Sequence, residues 1–218
     1  MMTAQLAALF LSACVTFFVV IDPPGCAPIF AGLTRGGSAA HRKAMAIRSV
    51  AVASGILIVF ALIGSDLLRI LGISLDAFRV AGGIMLFLIA LEMVFEKRTQ
   101  RREERAEAIT REAEEQHRPI EAEDISVFPM AIPMIAGPGS IATAMLLTSR
   151  AHGLVGTIVV LAAMASILLL TLVALLAAGP LMRVLGPKIE AMITRVLGVI
   201  LAALAAQFVI DGIRASFT

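Results

Sequence analysis

The 218-residue sequence has no tryptophan and no tyrosine, only two cysteines, and few charges. Charged residues make up 16% of it and apolar residues 59%, against the ~25% charge of an ordinary soluble domain. With a mean hydropathy of +0.95, the chain cannot cover a water-facing surface. That excludes a cytosolic enzyme, a nucleic-acid binder and a disordered chain. What is left is an all-α polytopic membrane protein. Without Trp or Tyr the interfacial aromatic belt reduces to phenylalanines such as Phe17, Phe18, Phe87 and Phe95. Cys14 and Cys26 both lie in the first apolar stretch, and helix between them would hold them roughly 18 Å apart, too far for a disulfide.

Catalytic apparatus is missing too. His41, His117 and His152 fall in connections, not in spans. Asp22 has no second deep carboxylate beside it, so intramembrane acid–base or nucleophilic chemistry has no pair of groups to run on. No metal-ligand cluster, phosphate loop or ATP-binding domain is present, so neither cofactor nor metal is expected. The chain does not read as an enzyme. Leu11 to Cys14, "LSAC", resembles a lipoprotein cleavage box. No Lys or Arg precedes it, however, and the apolar run continues to Ile21, so a retained helix is expected.

What is present is a series of apolar stretches, each long enough to cross a hydrocarbon core of ~30 Å. Six spans are predicted, at about 4–33 (interrupted), 44–64, 70–94, 127–149 (interrupted), 154–178 and 191–213. Half of the charged residues lie between Glu96 and Asp124. This divides the chain into residues 1–95, a charged loop at 96–124, and residues 125–218. The loop reads as a solvated linker with helical charge pairs. A partner-binding scaffold or regulatory role acting through it is the alternative to the function argued below. Of the Lys and Arg residues, 14 fall in connections 1–2, 3–4 and 5–6, and 4 (Arg69, Arg79, Arg150, Arg214) fall on the other side. The charge bias predicts a cytoplasmic loop with both termini outside.

The two halves repeat. At an offset of 114, Ile21, Pro24, Gly25, Leu33 and Thr34 match Ile135, Pro138, Gly139, Leu147 and Thr148. The same offset matches Leu67, Arg69, Leu71 and Gly72 to Leu181, Arg183, Leu185 and Gly186. At 116, Arg79, Val80, Gly82 and Ile84 recur as Arg195, Val196, Gly198 and Ile200. Each half holds three spans, an odd number, so the second copy must enter the membrane inverted. Inverted three-helix repeats characterise secondary transporters, because two such copies can exchange shapes between inward- and outward-open states.

Both interrupted spans break at matching places. In "DPPGCAP" Pro23 forces Asp22 out of the helical region, and Pro24 and Gly25 follow. Helix is expected to stop near Ile21 and restart around Cys26, with Pro28 tolerated in the first turn. In "PMIAGPGSIAT" the residues Pro133, Gly137, Pro138 and Gly139 do the same, with Ser140 as the expected N-cap. A break exposes carbonyls on one half-helix and N–H groups on the other. The first attract cations and the second attract carboxylates. Asp22, the charge most firmly set among apolar neighbours, is the expected cation- or proton-coupling residue. Glu92 and Asp211 lie near span ends and read as interfacial.

The stretches "VIDPPGCAPIFAGLT" and "DISVFPMAIPMIAGPGSIAT" resemble the paired signatures of the MarC family. This is a family of six-span bacterial inner-membrane proteins related to SnatA-type transporters of small neutral amino acids. The likeness runs over essentially the whole chain. It implies two inverted three-helix repeats with two discontinuous helices around a central site, and proton- or sodium-coupled movement of glycine- or alanine-like substrates. Carried over by motif, the site is Asp22, Pro24 and Gly25 with Gly137, Pro138 and Gly139. Cys26 and Ser140, at the helix restarts, complete the candidate set. A zwitterion suits such a site, with its carboxylate at the half-helix N-terminus near Gly139 and Ser140, and its ammonium at Asp22 or the carbonyls around Ile21. The partners expected are the bilayer, the amino acid and H+ or Na+, with no nucleic acid. Oligomeric state is not legible.

Overall fold

The computed structural model describes residues 2–34, 37–95, 124–151 and 153–217, with only the backbone at 181–188 and 190. Among the described residues the chain is entirely helical. The helices are α1 (Met2–Ile21), α2 (Pro23–Leu33), α3 (Ala39–Ile70), α4 (Leu75–Val94), α5 (Ser126–Ile135), α6 (Pro138–Arg150), α7 (Gly153–Leu176) and α8 (Ala178–Ser216). The charged stretch at 96–123 lies outside the described residues.

Among the described residues five helical stretches are long and apolar enough to cross a membrane, or six if the bent pair α5–α6 counts as one span. α1 and α2 follow one another as a single stretch, Thr3–Leu33, whereas α5 and α6 meet at 55°. Large apolar side chains such as Leu62, Ile70, Leu169 and Val199 stand on the outside. In water such a surface would aggregate, but in a bilayer it is the lipid-facing one.

Local chemistry sets the helix ends. Ser38 and Ser74 cap α3 and α4 by accepting the His41 and Ala77 N–H groups at 3.2 and 3.1 Å. After α3 the chain turns at Gly72 with φ 71°, a left-handed conformation that glycine takes at little cost. The Ile73 and Gly72 N–H groups then close back onto the Leu68 and Arg69 carbonyls at 2.9 and 3.1 Å.

α3 is 32 residues long, about 48 Å, so it projects beyond a ~30 Å core, and its ends carry Arg42, Lys43, Asp66 and Arg69. Residues 179–190, the connection ahead of the sixth span, are helical and form the first part of α8, and the span itself runs over Ala191–Ser216. Pro180 falls in the first turn of α8, where a proline removes no helical bond.

Several helix contacts fall into pairs, although α1–α8 and α6–α7 have no counterpart of similar extent. α1 packs on α7 and α5 on α3, α2 on α7 and α6 on α3, α2 on α8 and α6 on α4, and α1 on α6 and α2 on α5. α4 and α8 run antiparallel at close range. A Cβ on Gly83 would stand 2.9 Å from the Ala205 carbonyl oxygen, and one on Gly198 2.9 Å from Met93 Cβ. One further on, at Gly212, would stand 3.0 Å from the Asp76 carbonyl oxygen.

At the end of the bundle where α3 and α5 begin, Arg48 reaches Asp124 at 3.3 Å. The Ser126 hydroxyl and N–H also donate to Asp124. These bonds, then Arg48, hold the Asp124 carboxyl below its ordinary range. A lowered folded-state value stabilises the fold above the unfolded carboxyl pKa of about 3.9, and this is lost as pH falls through the folded value. Asp124→Asn is therefore expected to lower stability slightly near pH 7 and to flatten the acid limb of a stability-versus-pH profile, with variant and wild type converging at low pH. Both side chains are more than half exposed, so the effect is small. An unchanged acid limb would count against it.

Candidate functional site

The first break is one residue wide. Asp22 adopts φ 59° and ψ 64°, outside the right-handed helical region. Its N–H still donates to the Phe18 carbonyl, and its own carbonyl accepts the Cys26 N–H, both at 3.0 Å. Helix resumes at Pro23, earlier than the Cys26 restart expected from sequence. Prolines at the first two helical positions forfeit only N–H groups that have no helical acceptor, so Pro23 and Pro24 open α2 rather than delay it. Asp22 Oδ1 accepts the Gly25 N–H at 3.1 Å, and the Cys26 thiol donates to the Ile21 carbonyl at 3.4 Å. Both cysteines are free thiols.

Taken in order, the amino end of α2 has almost no donor left. Pro23 and Pro24 carry no N–H, the Gly25 N–H goes to Asp22, and the Cys26 N–H goes to the Asp22 carbonyl. Meanwhile the helical donor for the Val19 carbonyl would be Pro23, which has none. The first break is thus an acceptor site, built of a carboxylate and main-chain oxygens. It is dry, with Asp22 1% exposed and Cys26 fully covered.

The second break has the opposite character. α5 is not regular helix, because Phe128 and Ile132 are extended, as residues before proline prefer. Wide turns replace the ordinary ladder, with the Ala136 N–H on the Ala131 carbonyl at 2.8 Å. The chain then passes Gly137, and α6 starts at Pro138. The N-cap is Gly137, not the Ser140 expected from sequence, and no side chain caps this end. Ser140 is the third residue of α6, and the tight turn places Gly137 ahead of it because the Pro133 carbonyl lies where a Cβ would stand. With Gly137 lacking a side chain, the Gly139 and Ser140 N–H groups keep their donor capacity. The α6 dipole adds to it.

Packing brings the two breaks together. A Cβ on Gly139 would stand 3.4 Å from Val20 Cγ1 and 2.8 Å from Ile89 Cδ1. The start of α6 therefore lies against the last turn of α1, two residues before Asp22. Gly25, Gly137, Gly139 and Ser140 are buried, Pro24 is half-buried and Pro138 exposed. Val19 and Val20 belong to the core shared with α4, α6 and α8. Ile21, Cys26, Ile135 and Ala136 belong to the core shared with α3 and α7. The breaks sit on the seam between these two cores.

One residue of this region closes the stretch "PGSIAT" but is not among the expected site residues. Thr143 lies one turn beyond Gly139, on the same face of α6. Its hydroxyl is fully buried without a hydrogen-bond partner. The hydroxyls of Thr16, Thr34, Ser49 and Thr171 instead bond back to the carbonyl four residues earlier. Thr143→Val, which keeps the shape and removes the unpaired hydroxyl, is expected to raise stability by about 1 kcal/mol. Thermal unfolding in detergent measures this, and a lowered midpoint would mean the hydroxyl is already satisfied.

Compared with known proteins, the sequence matches the family described as "MarC family integral membrane protein" over residues 7–217. It is 36% identical over 205 residues to a UPF0056 membrane protein of Methanocaldococcus jannaschii, covering 94% of this chain and 96% of that one. It is 34% identical over 203 residues to the UPF0056 membrane protein YvbG of Bacillus subtilis, covering 93% of each. With the UPF0056 inner membrane protein YhgN of Escherichia coli it shares 31% identity over 207 residues, covering 94% of this chain and 95% of that one. No solved structure matches.

Proposed function

The chain belongs to the MarC family of integral membrane proteins, and from that premise we propose that it is a secondary transporter of small neutral amino acids, glycine- or alanine-like, driven by a proton or sodium gradient. The observation that carries this reading is the complementary chemistry of the two breaks. One break offers a carboxylate and carbonyls with almost no donors. The other offers uncapped N–H groups at a helix start. A zwitterionic amino acid needs both, its ammonium on the acceptors at Asp22 and its carboxylate on the donors at Gly139 and Ser140. Glycines at 25, 137 and 139 keep side chains out of the place where the breaks meet, which suits a small substrate.

The helix pairing supports an inverted duplication. Exchanging α1–α4 for α5–α8 turns each of the α1–α7, α2–α7, α2–α8 and α1–α6 pairs into another observed pair. Two halves related in this way can rock about a fixed central site. The reading places the protein in the inner membrane with both termini outside and the charged loop in the cytoplasm. It gives the protein no catalytic step, cofactor or metal.

The test is flux into liposomes containing the purified full-length chain. Labelled glycine or alanine should accumulate under a proton or sodium gradient, and Thr143→Val should lose most of that flux while remaining folded. Absence of flux under both gradients, across a broad amino-acid panel and with folded protein, would overturn the proposal. Deleting residues 99–117 should leave flux largely intact, whereas a scaffold acting through the loop would lose its function.

A further inference from the structure

Away from the breaks, at the end of the bundle where α4 begins and α6 and α8 finish, a cavity of about 700 Å³ is lined by Arg79, Arg150, Arg214, Asp211 and Ser149 among others. Three guanidinium groups from three helices thus meet around one carboxylate. Asp211 is already engaged, accepting from Arg150 at 2.8 Å and from the Gln207 amide at 2.6 Å. Asp76 takes one edge of Arg79 at 3.0 Å. With Asp76 counted, three guanidinium groups and two carboxylates meet here.

Helix dipoles account for two of these arginines and not for the third. Arg150 and Arg214 stand in the last turns of α6 and α8, where cations are favoured. Arg79 stands in the second turn of α4, whose N-terminus is itself positive. Its side chain is only 13% exposed, and its Nε is buried without a hydrogen-bond partner. A buried donor of this kind costs free energy until an acceptor arrives. Arg150 is held in place by the Phe208 ring, 4.9 Å from its guanidinium carbon. The geometry points to an oxyanion site, and we propose that the Arg79–Arg150–Arg214 cavity binds a phosphate group.

Planar guanidinium forks match phosphate oxygens. The place, at a span end, puts the site at the depth of lipid headgroups. Ile210, Ile213 and Phe217 are exposed on the adjoining stretch of α8 and offer an apolar surface to acyl chains. The phosphate can therefore come from an anionic phospholipid or from solution, and the chemistry is the same. The site goes beyond the transport reading and does not depend on it.

The test is thermal unfolding of the full-length chain in neutral detergent, titrated with phosphatidylglycerol, with phosphatidylcholine, or with inorganic phosphate against chloride at matched ionic strength. Phosphatidylglycerol should raise the midpoint more than phosphatidylcholine if the ligand is a lipid. Inorganic phosphate should raise it more than chloride if the ligand is soluble. In Arg79→Gln and in Arg214→Gln the apparent affinity should fall on the order of tenfold. Arg69→Gln, at an exposed residue paired with Asp66 outside the cavity lining, should leave it unchanged. If Arg79→Gln does not fold, Arg79→Lys keeps the charge, loses the fork, and should still weaken binding. Equal midpoints for the anionic and control titrants, or an increment undiminished in Arg214→Gln and the Arg79 variant, would overturn the proposal.

Discussion

Gly137→Ala is expected to destabilise the protein by about 1–3 kcal/mol or more, enough to lower folded yield as well as the unfolding midpoint. The backbone there has φ −79°, which alanine adopts freely, so conformational freedom is not the issue. A methyl group at this position would run into the Pro133 carbonyl oxygen. That oxygen belongs to the main chain of α5, just ahead of the covered Met134 and Ile135, and it has no side-chain torsion through which to retreat. Gly32 and Gly55 provide the contrast, since nothing stands within 4 Å of a Cβ at either. Alanine at those helix-interior sites should be neutral or stabilising by up to about 1 kcal/mol. Size-exclusion profiles and thermal unfolding of the three variants give the comparison. Gly137→Ala melting with the wild type would show that the chain does not pass so close to Pro133.

Asp22→Ala is expected to cost about 2 kcal/mol, from the lost cap at Gly25 together with the penalty for alanine in a left-handed conformation. Asp22→Asn should cost much less. Asparagine tolerates that conformation and its side-chain oxygen can still accept the Gly25 N–H. It removes only the charge. If the carboxylate binds the substrate ammonium or the coupling ion, Asp22→Asn should stay folded and lose flux by on the order of tenfold or more, the worth of a hydrogen bond to a charged group. Coupled flux at the wild-type level in Asp22→Asn would leave Asp22 as a helix cap and nothing else. Gly25→Ala is the companion measurement. Its methyl would meet the Asp22 carboxylate, which can swing aside, so this variant should lose the cap at a cost of about 1 kcal/mol and displace the carboxylate without unfolding the protein.

The breaks were legible because their cause is covalent. A proline lacks its N–H in any environment, and a run such as Asp22–Pro23–Pro24–Gly25 cannot continue a helix unchanged. Where helix resumes was less legible. Pro23 and Pro24 read equally as loop or as first turn, and only the Asp22 backbone, held by Phe18 and Cys26, settles it as first turn. Ser140 has the chemistry of an N-cap but not the position, because the Pro133 carbonyl and Gly137 fix the turn ahead of it. Residues 179–190 read as the connection ahead of the sixth span, and sequence did not show that they are wound into α8. Thr143 closes the stretch "PGSIAT", but nothing in the sequence marked its hydroxyl as unpaired. A threonine in an apolar helix ordinarily bonds its own backbone, and sequence does not tell which one fails to.

By itself, then, the order of residues determined the membrane class, the six apolar stretches, the duplicated pattern and the places where helix must break, since each depends on neighbours along the chain or on counted polarity. Packing decided that Gly139 lies against Val20, and that Arg79, Arg150 and Arg214 share one cavity. These are relations between groups far apart in sequence. They arise only when helices close to within a methyl group of one another, and no local propensity encodes that distance.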